Sequence, residues 1–389
     1  MSDIASPFAA LDADLQRLSA RGRRRMLTGQ SGLDFASNDY LGLAASDELR
    51  AATMDALSRQ VPVGAGGSRL LHGNHPEHEA LERAAALYFG AESTLYFGSG
   101  YAANVALFST APQRGDLVVY DECIHASVHD GLRLGRAAIA AAKHNDTQSI
   151  DDAIVRWRAT GGAGRPWVAV ESLYSMDGDG PNLQELYTLA AHREAILVID
   201  EAHATGVLGP NGRGRAAFLE GRDNIVTLHT CGKALGTSGG LLCAPRVLSD
   251  FLINRGRPFI FATAPSPLIA AVTRAALALC ERSDDRRERL QRLVETASRK
   301  LARQCGLTTT GSHILPIVIG EDRAAVDLAE RLCARGYDVR AIRPPTVPAG
   351  TARLRIALTL NVDEAAIAGL FRTLALESPQ HLASEPPRL

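Results

Sequence analysis

Long apolar runs are missing from this sequence: none of its 389 residues falls in a stretch of the ~18 consecutive apolar positions that a membrane-spanning helix needs. Paired cysteines are missing as well. The six present (Cys123, Cys231, Cys243, Cys280, Cys305, Cys333) form no C-x-x-C pair and have no zinc-type histidine spacing, so they read as buried thiols. A charge excess is also lacking. With 42 basic and 43 acidic side chains the net charge is −1, which removes the global electrostatic case for nucleic acid or an anionic membrane as partner. The N-terminus carries Asp3, Asp12 and Asp14 and no basic segment followed by an apolar one, so no secretory leader is read and cytoplasm is the expected location.

What is there fits a globular chain of two to three domains. Hydrophobic residues make up 46% and charged ones 22%, and glycine, at 35 residues, is in mild excess. The start reads as an amphipathic helix (Phe8, Leu11, Leu15, Leu18) followed by the basic run Arg21, Arg23, Arg24, Arg25. Short, nearly continuous apolar runs follow at Ser93–Phe97, Leu117–Tyr120, Trp167–Glu171, Ala195–Asp200 and Ile225–Thr230, the pattern of parallel strands covered on both faces. Helical segments at His75–Phe89, Ala102–Thr110 and Leu183–Arg193 lie between them, the last opened by Pro181-Asn182. This alternation predicts an α/β domain with its chemistry in loops beyond the carboxyl ends of the strands. After Pro265 the texture changes to one or two long helices over Pro267–Cys305, then Ile314–Ile319, a helix Ala324–Arg335, Asp338–Ala341, Arg353–Leu358 and a helix from Asp363. The expected domains are an arm over 1–44, a large domain over 45–265, an α+β small domain over 266–378 and a frayed tail over 379–389.

Three loops carry unusual polar groups. Ala195–Asp200 ends in Asp200-Glu201-Ala202-His203, where the acid either caps the next helix or meets a cation or proton donor. Ile225–Thr230 leads into Cys231-Gly232-Lys233-Ala234-Leu235-Gly236. A phosphate-binding P-loop requires glycine where Thr227 stands and a hydroxyl where Ala234 stands, so Lys233 is either a solvated turn residue or an amine available as a nucleophile. Gly98-Ser99-Gly100-Tyr101-Ala102 is a glycine turn opening a helix, a connector or an anion site. Two other patterns are set aside. The His72, His75, His78 spacing is broken by Gly73 and Pro76, and Asp177-Gly178-Asp179-Gly180 lacks the glutamate a calcium loop requires, with Thr188 at the twelfth position.

In joint order these pieces resemble the fold-type I (aspartate-aminotransferase-like) pyridoxal-phosphate enzymes, and among them the α-oxoamine synthases. The resemblance runs from Phe35-Ala36-Ser37-Asn38-Asp39-Tyr40-Leu41-Gly42 through Gly64–Arg69, Gly73-Asn74-His75, Ile124-His125-Ala126-Ser127, Ser175–Asp179, Asp200–His203 and Thr230–Lys233. The segment Arg343–Arg355 looks most like the biotin-pathway member. The resemblance implies a pyridoxal 5′-phosphate transferase of the acyltransferase type, joining L-alanine to a pimeloyl thioester with loss of CO2. A glycine-using C-acetyltransferase is the alternative in the family, and a non-catalytic binding protein of the same fold the alternative outside it. By the same resemblance Lys233 holds the cofactor covalently and moves protons at the substrate Cα, and Asp200 pairs with the pyridinium nitrogen. His203 and Ser175 meet the 3′ oxygen, and His125 covers the ring. Gly100, Tyr101 and Thr230 hold the phosphate. Thr263 is a phosphate ligand lent by the second subunit of a homodimer whose active site lies at the subunit interface, with Ala262 in place of the family's frequent hydroxyl residue. Arg355, with Asn38 nearby, binds the amino-acid carboxylate, and Arg343 with one of the Arg21–Arg25 run serves the acyl thioester.

Overall fold

The computed structural model of the chain describes residues 6–377, so the tail expected over 379–389 lies outside the described residues. The described residues divide into two compact units, a larger one of residues 38–175 and 179–289 and a smaller one of residues 6–37, 176–178 and 290–377. The division falls at Arg289, past the Pro265 boundary expected from the change of texture. The helix Pro267–Glu281 packs along the helices Asp47–Ser58 and Pro76–Phe89, and that packing holds it in the larger unit.

In chain order, the helix Ala9–Ala20 and the strand β1 (Leu33–Asp34) come first, both in the smaller unit. The larger unit then contributes β2 (Ser93–Phe97), β3 (Leu117–Asp121), β4 (Ala138–Ala142), β5 (Pro166–Glu171), β6 (Ile196–Asp200), β7 (Ile225–Thr230) and β8 (Gly240–Ala244), in the sheet order β2-β8-β7-β6-β5-β3-β4. Neighbours from β7 to β4 are parallel, whereas β8 runs antiparallel to both β2 and β7. Side chains alternate across this sheet: Val118 and Val198 join a core on one face with Phe108, Trp167 and Leu228, while Leu117, Val119, Leu197 and Ile199 join a second core with Ile150 and Leu186. Burial on both faces explains the continuous apolar runs. β4 and β8 are strands beyond the five expected from the apolar runs.

The smaller unit has β9 (Ile314–Gly320), β10 (Tyr337–Asp338), β11 (Arg340–Ile342) and β12 (Ala352–Ala357). β12 is the middle of an antiparallel three-stranded sheet in the order β11-β12-β9, and β1 pairs with β10 in parallel. Helices Asp322–Ala334 and Glu364–Glu377 complete an α+β unit. All six cysteines are free thiols, four buried and two half-buried. Among the described residues, no helix is long and apolar enough to cross a membrane.

Candidate active site

The parallel strands end together, and their ends are acidic: Asp121 on β3, Glu171 on β5 and Asp200 on β6. Asp200 is 8% exposed and accepts two hydrogen bonds, from Asn104 Nδ2 at 2.9 Å and from the Ala202 N–H at 2.9 Å. Asn104 lies in the helix Gly100–Thr110 and also donates to Ser127 Oγ at 3.0 Å, and Ser127 Oγ lies 2.8 Å from His125 Nδ1. One polar chain therefore links Asp200 through two buried side chains to His125, which caps the helix Ala126–Leu134. Solvent reaches His125, yet the protein packed around its ring pushes its pKa below the ordinary imidazole value, and the Lys233 charge adds to this against Asp200. These surroundings favour the neutral ring.

A second polar chain fixes His203. Its Nδ1 lies 2.6 Å from the Tyr40 hydroxyl, which donates to Asn38 Oδ1 at 3.0 Å. Lys233 lies in the loop between β7 and β8, a turn closed by the bonds Gly236 N–H to Lys233 O (2.8 Å) and Cys231 N–H to Gly239 O (2.9 Å). Beside it, Thr230 meets the start of the helix Gly100–Thr110. A Cβ on Gly240 would come within 2.7 Å of the Gly100 nitrogen, so the backbone there approaches closer than any side chain permits. Ser99 Oγ caps this helix at the Ala102 N–H (3.0 Å), and the amides of Gly100 and Tyr101 belong to the turn that the helix itself does not satisfy. A helix N-terminus, two early amides and a hydroxyl form a cradle suited to a phosphate.

Ser175 is buried, and its N–H donates to Glu171 Oε2 at 3.2 Å. Glu171 is 3% exposed, and its Oε1 is buried without a hydrogen-bond partner. Burial, reinforced by Asp200, raises its pKa to about 8, with Lys233 acting the other way. Glu171, Asn104, Ser127 and Tyr40 are site residues beyond those expected from the sequence. For Glu171 a signal existed, since it ends an apolar strand as Asp200 does. The other three show their part only through residues far away in sequence.

The remaining candidates lie in other segments of the chain. Thr263 is exposed in the larger unit. Arg355 (6% exposed) and Arg343 belong to the smaller unit. There Arg353, two positions from Arg355 on the same face of β12, is bonded to Asp177. Arg343 donates to the Gly22 carbonyl at 2.5 Å, and burial, with Arg25 adding, lowers its pKa. Arg23 is ion-paired with Asp322. Two of the three histidines set aside as metal ligands, His75 and His78, serve a helix start. His75 Nδ1 accepts the Glu77 N–H (3.1 Å), the His75 N–H donates to His78 Nδ1 (3.2 Å), and His78 Nε2 meets the Pro265 carbonyl (2.7 Å). Asp179 instead joins Asp121 around His144. Burial opposes charge on that ring, but the two carboxylates prevail and lift its pKa to about 12. Cys123 lies nearby, yet both ring nitrogens already face carboxylates, the arrangement of an ion-paired imidazolium.

Residues 30–373 match the family model described as aminotransferase class I and II. The chain belongs to that family. Within it, the chain is 40% identical over 393 aligned positions to the 8-amino-7-oxononanoate synthase of Anaeromyxobacter sp. strain K, covering 97% of this chain and 98% of that one. It is 41% identical to the 8-amino-7-oxononanoate synthase of Chromobacterium violaceum, with 88% of each chain covered. Among solved structures it is similar to the serine palmitoyltransferase of Sphingomonas wittichii (TM-score 0.86, 28% identity, 96% of this chain and 98% of that one). It is also similar to the 8-amino-7-oxononanoate synthase of Francisella tularensis (TM-score 0.75, 27% identity, 90% and 98%). A further structure, of SPT with PLP as an internal aldimine, matches at TM-score 0.86 with 27% identity over 96% of this chain and 98% of that one. The expected fold-type I architecture is therefore met.

Proposed function

We propose that this chain is an 8-amino-7-oxononanoate synthase, a pyridoxal-phosphate acyltransferase of biotin biosynthesis that joins L-alanine to a pimeloyl thioester with loss of CO2. The observation that carries the reading is Asp200, a buried carboxylate fixed by two donors at the end of β6, with Lys233 in the loop that follows the neighbouring strand. The curated relatives supply the choice of acyl product.

The residues present fit pyridoxal phosphate. Its phosphate suits the cradle of Gly100, Tyr101 and Thr230, and its protonated ring nitrogen suits an anchored Asp200. When bound, the cofactor supplies a sink for the electron pair released at the amino acid's Cα. Lys233 would hold the cofactor covalently and would serve as the base that takes the Cα proton and the acid that later returns one. Asp200 keeps a proton on the ring nitrogen. His203, its ring set by Tyr40, and Ser175 hold the 3′ oxygen. His125 covers the ring as a neutral imidazole, adding no charge against Lys233, and helps to place the thioester carbonyl. Arg355 binds the alanine carboxylate and Arg343 serves the acyl donor. This assignment of Arg355 is supported by its burial on the central strand of the smaller unit's three-stranded sheet.

A second copy of the chain completes the site by lending Thr263. The segments 63–71 and 261–264, joined by the Ala264 N–H to Gly67 O bond at 2.8 Å, expose Val63, Leu71 and Phe261, apolar surface that a partner subunit would cover. The test is thiol release by the PLP-loaded enzyme over a panel of alanine, glycine and serine with pimeloyl, acetyl and palmitoyl thioesters, the pimeloyl group offered on coenzyme A and on a carrier protein. Alanine with a pimeloyl thioester should be preferred; preference for glycine with acetyl-CoA overturns the assignment. Cofactor absorbance that never develops after PLP is added favours the binding protein.

A further inference from the structure

Glu171 and Asp200 are partners in register at the ends of adjacent parallel strands, and both are nearly closed to solvent. Two buried carboxylates so placed do not both ionise readily. Their surroundings decide which does. Asp200 is met by a side-chain amide and a backbone N–H, whereas Glu171 receives one N–H, from Ser175, and its Oε1 meets no donor. The charge belongs on the better solvated group. The titratable groups that face Glu171 are Asp200 on β6, Lys233 in the β7–β8 loop, Asp121 on β3 and the Tyr174 hydroxyl in its own following loop.

We propose that Glu171 is a positioning residue of the Lys233 site, resting as a neutral carboxylic acid beside Asp200 and ionising as pH rises, when its charge holds a proton on the Lys233–cofactor linkage. Ionisation of Glu171 adds one negative charge at the strand ends. That charge favours the protonated linkage and makes it persist into more alkaline solution than Asp200 alone would allow. Glu171 thereby widens the pH range over which Lys233 stays charged. The inference rests on the assignment of Lys233 and pyridoxal phosphate above.

The test is a pH titration of the visible absorbance of the holoenzyme, wild type against Glu171→Gln, which copies the neutral acid in shape and hydrogen bonding. The two curves should superimpose on the acid side and separate on the alkaline side, with the variant deprotonating roughly half to one pH unit earlier. Curves that superimpose throughout overturn the proposal, as does separation already on the acid side, which would mean that Glu171 is charged at rest. Wild-type protein with no cofactor absorbance fails the assignment of Lys233 instead, so the two failures are distinguishable. If Glu171→Gln does not accumulate as holoenzyme, Glu171→Asp keeps the acid: a carboxylic-acid C=O infrared band at neutral pH that moves on this substitution supports the proposal, and an unmoved band overturns it.

Discussion

Glu171 and Glu201 are both buried glutamates, one in register with Asp200 and the other next to it in the chain, and burial raises the pKa of each. They differ in what meets them. Glu201 accepts the Ser172 hydroxyl at 2.8 Å, the Arg215 N–H at 3.1 Å and the Ala216 N–H, so its oxygens are occupied by the fold. Glu171 has one long bond and a bare oxygen. Asp121, one strand beyond β5, is of the occupied kind, with the Cys123 and Asn145 N–H groups and His144 as donors. Of these two glutamates, the one whose oxygens the fold occupies belongs to the architecture, and the one left with a bare oxygen beside Asp200 marks a place where a ligand or a proton belongs.

The comparison predicts that substitutions on the two sides separate rate from stability. The largest effect belongs to Lys233→Ala, expected to lower turnover by at least about three orders of magnitude while leaving the thermal unfolding of the protein without added cofactor unchanged. Wild-type turnover in that variant would sink the mechanism. Asp200→Asn comes next, with kcat lowered about 10²- to 10³-fold and the fold retained, because the carboxylate acts on charge developed during reaction. A kcat that stays level would remove Asp200 from the chemistry. Glu201→Ala is the counterpart on the architectural side. It leaves three donors of the Ser172–Ala216 network without an acceptor, which should cost about 2–4 kcal/mol in denaturant unfolding with kcat per folded molecule unchanged. Equal losses of rate for Glu201→Ala and Asp200→Asn would break the comparison.

The part of the site legible in sequence is the part that sits at strand ends. Asp200 ends a nearly continuous apolar run and Lys233 stands three residues beyond the end of another strand-like run, so a charged residue at either place has to be explained. Lys233 is also one of only three lysines, with Lys143 and Lys300, in a chain that otherwise uses arginine. Glu171 ends a run of the same kind and was legible by the same rule. Asn104 and Ser127 were not. Each sits in an ordinary helix, and their meaning comes from meeting each other and Asp200 across 23 and 96 positions of sequence. The fold followed the same division. Parallel strands buried on two faces announce themselves, whereas β8, five apolar residues after a glycine loop, does not reveal from its composition that it reverses direction. The helix Pro267–Glu281 changes composition at Pro265 but packs with what precedes it, because packing responds to the face a helix presents.

The smallest effect tests the occupied kind of carboxyl through pH. His144 is held between Asp121 and Asp179 with its pKa raised to about 12, well above the ~6.5 of an unfolded histidine. A group whose pKa is raised on folding contributes fully below its unfolded value, and the contribution shrinks as pH climbs toward the folded value. His144→Asn should therefore lower the unfolding temperature most near pH 6 and progressively less above it, the difference from wild type narrowing through the alkaline range. A gap that widens with pH would mean that the ring is neutral in the folded protein and that Asp121 is satisfied by its two backbone donors alone. Because neither Asp121 nor His144 is bonded to Asp200, kcat at saturating substrate should be unmoved at every pH. If it falls with the unfolding temperature, the boundary between architecture and site runs further along the strand ends than β5.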